Sequence, residues 1–144
     1  MKVKQILQSK GSGGVETVKP GSTVSAAAQI LSEKRIGALI VSPDGQAADG
    51  ILSERDIVRE LGRRGTSCLD ETVDEMMTRD LVGCAPDDDA EAVLTKMTEG
   101  RFRHIPVMDG DHMIGLISIG DVVKARLSEL KLERDALEDM VRGY

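Results

Sequence analysis

The stretch GILSERDIV at residues 50–58 recurs as GLISIGDVV at residues 115–123. Each copy contains a glycine, two apolar residues, a serine, two variable residues, an aspartate and two more apolar residues. This spacing predicts a short buried strand that runs into a helix, with the serine as N-cap and the aspartate at the third helical position. Two interpretations fit it. The pair is either a capping box for free backbone N–H groups, or part of a site where a helix start binds phosphate and the aspartate binds ribose hydroxyls.

The similarity between the two halves extends upstream of these stretches. Val18-Lys19-Pro20 corresponds to Cys84-Ala85-Pro86, and residues 36–41 correspond to residues 102–107 at the same offset. An apolar segment with helical spacing lies between Pro20 and residue 36 in the first half, and another lies between Pro86 and residue 102 in the second. A capping box does not explain an internal repeat of this length, so the pattern indicates a duplicated structural unit.

On these residues the chain resembles a tandem pair of CBS domains, the unit called a Bateman module, from Val3 to about Lys124. The segments RHIPV at 103–107 and GLISIGD at 115–121 are the most similar to the family's signatures. Each half reads strand, helix, strand, strand, helix, an α/β (α+β) unit. The resemblance implies that a pseudo-twofold axis relates the repeats. We expect repeats at 1–65 and 66–125 and a C-terminal helical extension at 126–144.

Composition restricts the classes of partner. The 144 residues carry a net charge of -6 and only 1% aromatic residues, which argues against nucleic-acid binding because such proteins usually present a basic face with stacking aromatics. No apolar run approaches 18 residues and no leader pattern occurs, so we predict a cytoplasmic protein without membrane insertion. The two cysteines share no metal-ligand spacing with the two histidines, so no metal site is expected.

Two flanking segments need their own interpretation. Residues 1–7 and 72–77 correspond to each other, and we expect each to form a short lead-in that covers its own repeat. Residues 124–142 are strong helix formers that follow Val123, and apolar residues continue from there at alternating spacings of three and four, interrupted only by Arg134. This helix either packs on its own module or associates with a second copy, and the sequence leaves both interpretations open.

The resemblance implies pockets for adenosine-containing ligands between the repeats. Carried over residue by residue, the first pocket combines Ser53, Arg55 and Asp56 with Gly83, Cys84, Arg103 and His104. The second combines Ser118 and Asp121 with Thr17, Val18, Gly37 and Ala38. The aspartates are expected to bind ribose hydroxyls and the serines to lie near phosphate, while Arg55, Arg103 and His104 add charge-assisted donors. The first pocket should therefore favour a highly charged phosphate chain, whereas the second suits AMP or an adenosine half, or stays empty.

No nucleophile with a base, carboxylate pair or metal set is recognisable, so we predict a non-enzymatic protein without a catalytic cofactor. We interpret it as a homodimeric regulatory module that senses AMP, ADP, ATP, NAD or S-adenosylmethionine and signals by a change of conformation. The alternative is a constitutive dimeric scaffold without nucleotide. A third interpretation is a subunit that regulates a metabolic enzyme or a transporter.

Overall fold

The computed structural model describes residues 1–11 and 14–143. The helices are α1 (Val3–Ser9), α2 (Val24–Lys34), α3 (Glu54–Arg64), α4 (Val73–Met76), α5 (Ala90–Gly100) and α6 (Ile119–Arg142), and a short 3-10 helix spans Thr66–Asp70. The strands are β1 (Thr17–Val18), β2 (Ala38–Val41), β3 (Gly50–Ser53), β4 (His104–Asp109) and β5 (His112–Ser118). The predicted fold class of two α/β repeats and a C-terminal helix is confirmed. None of the helices in the described ranges is both long and apolar enough to cross a bilayer.

Each repeat contains a small sheet, with three strands in the first repeat and two in the second. In the first, β1 pairs in parallel with β2, which pairs antiparallel with β3. In the second, β4 pairs antiparallel with β5. The counterpart of β1 is reduced to one parallel bridge, in which Cys84 pairs with Val107 as Val18 pairs with Val41 in the first repeat. The shared pairing shows that the two sheets have the same topology.

Each repeat has its own hydrophobic core, and the prediction that each lead-in covers its own repeat is wrong. Val3 and Ile6 of α1 are buried in the core of the second repeat, with residues such as Ile105 and Ile117. Val73 of α4 and the following Met77 are buried in the core of the first repeat. The repeats have therefore exchanged their lead-in helices.

Backbone hydrogen bonds explain this exchange. The Val3 N–H donates to the Asp88 carbonyl over 2.9 Å, beside the start of α5, and the Val73 N–H donates to the Ser22 carbonyl over 2.8 Å, beside the start of α2. Both bonds satisfy N–H groups that a helix start leaves without an internal partner. Because only residues 65–72 separate α4 from α3, α4 remains against the first repeat, and the equivalent place on the second repeat is taken by α1.

The last helix leaves the body of the protein after about two turns. Val122 and Ala125 are buried in the second core, whereas the apolar side chains from Leu127 onward are exposed. The interpretation that this helix packs on its own module therefore holds only for its first part.

Candidate functional site

Both duplicated stretches form the predicted strand-to-helix junction. The Ser53 hydroxyl accepts a hydrogen bond from the Asp56 N–H over 3.2 Å, and the Asp56 carboxylate accepts one from the Ser53 N–H over 3.0 Å. Ser118 and Asp121 repeat this arrangement with distances of 3.2 and 2.9 Å. The capping-box interpretation is thus confirmed at both junctions. It leaves the binding interpretation open, because an ionised carboxylate has further lone pairs to offer.

One cleft of about 860 Å³ lies between the two repeats and reaches both junctions. This volume is within the range of small-molecule sites. It brings together Ser53, Arg55 and Asp56 from the first repeat with Arg103 and His104 from the second, as the sequence predicted for the first pocket. The remaining lining residues are Gly37, Ile51, Glu54, Arg59, Thr78, Asp80, Leu81, Val82, Gly100, Arg101, Phe102, Pro106, Ser118 and Ile119.

The structure does not bring Gly83 and Cys84 into the lining of this cleft. The Cys84 side chain is buried in the second core, and burial raises the pKa of its thiol to about 11. The Cys84 backbone is also occupied, since its N–H donates to the Pro106 carbonyl and its carbonyl accepts from the Met108 N–H. Its backbone groups are therefore engaged in sheet pairing, and the preceding residues Leu81 and Val82 reach the cleft instead.

The lining of the cleft carries four arginines and the three carboxylates of Glu54, Asp56 and Asp80. Arg59 donates to the Asp56 carboxylate over 3.0 Å. By contrast, Arg55, Arg101 and Arg103 form no ion pair with any carboxylate in the described part of the chain. Three exposed guanidinium groups therefore remain available to an anion. Sequence reasoning did not assign Arg59 or Arg101 to this pocket, although Arg59 follows Asp56 at helical spacing.

His104 lies where the two repeats meet. An ideal Cβ on Gly37 would come within 3.2 Å of its imidazole ring, so only a glycine fits there without displacement of the ring. Burial lowers the pKa of His104 below its usual value of 6.5, and the positive charges of Lys10 and Arg103 add to this effect, while Asp121 and Glu54 oppose it. Burial therefore disfavours the positively charged form that the sequence analysis expected of His104.

At the second predicted pocket, a side chain of the protein pairs with the aspartate that is expected to bind ribose. The Lys10 ammonium donates to the Asp121 carboxylate over 2.8 Å and to the Leu116 carbonyl over 2.9 Å. Of the predicted residues only Gly37 and Ser118 line the described cleft. Thr17 and Val18 lie in β1, and Ala38 is buried in β2. Sequence reasoning missed Lys10, because no spacing connects it to residues in the other half of the chain.

Comparison with known proteins places this architecture among characterised folds. The family model described as "CBS domain" matches residues 3–63 and 73–128. The CBS domain-containing protein CBSX3 of Arabidopsis thaliana is 33% identical over 148 residues, which cover 98% of this chain and 72% of that protein. The crystal structure of the CBS-domain containing protein ATU1752 from Agrobacterium tumefaciens is 39% identical with a TM-score of 0.82, covering 88% of this chain and 99% of that one.

A third comparison concerns a structure with bound ligands. The CBS domain pair of protein MJ0100, solved in complex with 5-methylthioadenosine and S-adenosyl-L-methionine, superposes with a TM-score of 0.77 at 24% identity. The superposition covers 90% of this chain and 98% of that chain. At this identity the likeness shows a common fold.

Proposed function

Because this chain belongs to the CBS domain family and carries two copies of its repeat, we propose that it is a regulatory module that binds an adenine nucleotide between the repeats. The ligand class is AMP, ADP, ATP, NAD or S-adenosylmethionine, with preference for a molecule that carries more than one phosphate. The protein needs no catalytic cofactor for this role, and we assign it to the cytoplasm and to the homodimeric state.

The observation that carries this proposal is the group of unpaired arginines beside a helix start. Arg55, Arg101 and Arg103 line the same 860 Å³ cleft as Ser53, the N-cap of α3. A helix start favours an anion through the positive end of its dipole, although at α3 the Glu54 and Asp56 N–H groups already donate to the Gly37 carbonyl and the Ser53 hydroxyl. Guanidinium groups form strong charge-assisted hydrogen bonds with phosphate oxygens. A chain of phosphates is the ligand chemistry that this combination fits best.

The rest of the cleft suits a nucleoside. Asp56 is the candidate acceptor for ribose hydroxyls, since its carboxylate is fixed by the Ser53 N–H and by Arg59. The side chains of Ile51, Phe102 and Pro106 offer apolar surface to a base. The MJ0100 pair with its bound adenosyl ligands is compatible with this assignment.

The aspartates of the two pockets have different ion-pair partners. Asp56 is paired with Arg59 from its own helix, whereas Asp121 is paired with Lys10 from a distant segment. A nucleotide would have to compete with Arg59 for the first carboxylate and with Lys10 for the second. Because Arg55, Arg101 and Arg103 line the first pocket, we assign it as the primary site and expect weaker binding, or none, at the second.

A ligand in the cleft would act on the arrangement of the repeats. The lining includes Gly37 and Ser53 from the first repeat and His104 and Ser118 from the second. A ligand that contacts both sides stabilises the arrangement that it fits, which shifts the population of conformations. A regulated enzyme or transporter would detect this shift, and a pull-down with and without nucleotide tests for such a partner.

Isothermal titration calorimetry with AMP, ADP, ATP, NAD and S-adenosylmethionine tests the assignment of the arginines. Arg103→Met and Arg55→Met should each weaken ATP binding by about tenfold, which corresponds to about 1.4 kcal/mol for one charge-assisted contact. AMP binding should weaken less. Arg63→Met is the matched control, because Arg63 lies on the same helix as Arg55 but pairs with Glu60 outside the cleft. Equal effects of all three variants would contradict the assignment.

The second candidate function is a constitutive dimeric scaffold. The specific observation in its favour is the exposed apolar part of α6, which a nucleotide sensor does not require. Dimerisation without any nucleotide binding would support this function over the first.

A further inference from the structure

The exposed part of α6 carries an apolar stripe with one interruption, formed by Val123, Leu127, Leu130, Leu137 and Val141. Leu127 is 63% exposed, Leu137 62% and Val141 88%. These residues follow one another at spacings of three and four, with Arg134 in the remaining position, so they lie on one side of the helix. Soluble proteins rarely leave such a surface uncovered unless it associates with something.

We propose that this α6 stripe pairs with the α6 stripe of a second copy of the chain in antiparallel orientation. The contact surface is the same on both copies, as a two-fold dimer requires. The proposal does not depend on nucleotide binding.

The body of the protein leaves this side of the helix free. Val122, Ala125 and Glu129 contact the body: the first two are buried, and the Glu129 carboxylate pairs with the N-terminal amine of Met1. At about 100° per residue, these three positions point roughly 100–160° away from the middle of the stripe. The stripe and the body-facing side are thus different faces of α6, and a second helix can reach the stripe.

The charged residues beside the stripe favour one relative direction of the two α6 helices. The residues that flank the stripe are basic in the first half of the free helix (Lys124, Arg126 and Lys131) and acidic in the second half (Glu133 and Glu138). Two parallel helices would place Arg126 beside Lys131 of the second copy and Glu133 beside Glu138 of the second copy. They would also stack the two Arg134 side chains in the apolar seam. Parallel pairing is therefore opposed at every one of these positions.

Antiparallel pairing removes most of this repulsion. With Leu127 opposite Leu137 of the second copy, Leu130 faces Arg134 and Val123 faces Val141, so every stripe residue has a partner and Arg134 can extend its stem over a leucine. Lys124 then lies beside Glu138 of the second copy, and this attractive contact occurs twice. Like charges meet only near the crossing point, at Lys131 and Glu133. Antiparallel helix dipoles also attract each other.

Sedimentation equilibrium of the full chain tests the surface. The wild type is expected to be a dimer, and Leu130→Ser or Leu137→Ser should weaken dimerisation by at least about tenfold, since each removes a buried leucine contact. The control is Leu132→Ser, because Leu132 is 69% exposed but lies on the other side of α6. A monomeric wild type overturns the proposal. So does a dimer that responds equally to all three substitutions, since it would use another surface.

Disulfide crosslinking tests the orientation. Leu127→Cys and Leu137→Cys proteins carrying different tags are oxidised separately and then as a mixture. Antiparallel pairing predicts a crosslink between the two tags in the mixture and none in the separate samples, because identical positions are ten residues or about 15 Å apart along the helix. A crosslink in either separate sample, or none in the mixture, overturns the proposal. The native Cys68 and Cys84 are buried and do not interfere.

Discussion

Replacing Lys10 by methionine tests whether the Lys10 ammonium pairs with Asp121, the aspartate of the second predicted pocket. Methionine keeps most of the length of lysine but removes the ammonium group that donates to Asp121 and to the Leu116 carbonyl. The substitution therefore breaks one contact between the end of α1 and the junction of β5 with α6. It changes no residue that lines the cleft.

The structure indicates the size of the effect. The Lys10 and Asp121 side chains are 41% and 24% exposed, so water and salt screen their attraction. Pairs of this kind stabilise a fold by up to about 1 kcal/mol. Lys10→Met should therefore lower the free energy of unfolding at pH 7 by about 1 kcal/mol, or the melting temperature by about 3 °C.

The effect should depend on pH with a definite sign. Burial by itself would raise the pKa of Asp121, but hydrogen bonds from Lys10 and Ser118 outweigh it and hold the pKa below 3.8. A carboxylate with a lowered pKa contributes its full stabilisation above the pKa of the unfolded chain, near 4, and loses it as the pH falls through the folded value. The difference between wild type and variant should consequently shrink below about pH 4.

Urea unfolding of wild type, Lys10→Met and the control Lys4→Met between pH 3 and pH 7 measures this difference. Lys4 also lies on α1, but it pairs with Asp87 at a more exposed position, with side chains 54% and 78% exposed. Its replacement should have the smaller effect. Equal stability of wild type and Lys10→Met at pH 7 would refute the ion pair. A difference that persists in full at pH 3 would refute the role given to the Asp121 carboxylate.

Gly115→Ala should destabilise the fold by about 1–2 kcal/mol, because its Cβ would lie 2.6 Å from a Leu7 methyl group, and a further Leu7→Ala should recover part of this loss. In the same denaturation assay Gly62→Ala, with nothing within 4 Å, should stabilise α3 by about 0.5–1 kcal/mol. Titration of His104 by NMR should give a pKa below 6.5, and His104→Gln should flatten the loss of stability as the pH falls through that region. Cys84, with a thiol pKa near 11, should resist alkylation at pH 8 until the protein unfolds, as measured by mass spectrometry.

The sequence predicted the parts of the fold that depend on local pattern. The Ser-x-x-Asp spacing gave both helix starts, since a cap depends only on residues three positions apart. Apolar periodicity likewise predicted Val24, Ala27, Ala28 and Leu31 as the core face of α2, where all but the partly buried Ala28 are buried.

The sequence did not predict which core each lead-in helix joins. Val3 and Val73 are apolar and belong inside, but either core could accept them on pattern alone. The choice depends on the short connection between α3 and α4. It also depends on backbone hydrogen bonds between a lead-in helix and the opposite repeat, such as the bond from the Val3 N–H to the Asp88 carbonyl. Periodicity reports burial of a side chain and carries no information about its partner.

The same limit applies to the candidate site. Family resemblance predicted Ser53, Arg55, Asp56, Arg103 and His104, which meet in one cleft. It did not predict Lys10 at Asp121, because this contact joins residues 111 positions apart. It also assigned charge to His104 by residue type, whereas the protonation of a half-buried ring depends on its three-dimensional surroundings.

Thermal unfolding in the presence of AMP, ADP, ATP, NAD and S-adenosylmethionine tests the central claim most directly. A ligand at about a hundred times its dissociation constant should stabilise the wild type by about 2.7 kcal/mol. The account predicts that Asp56→Asn abolishes this shift while Asp121→Asn retains it, since the asparagine oxygen can still accept the capping hydrogen bond, whereas its NH2 group replaces the second acceptor oxygen of the carboxylate. No shift with any ligand, or a shift lost in Asp121→Asn and retained in Asp56→Asn, would contradict the account.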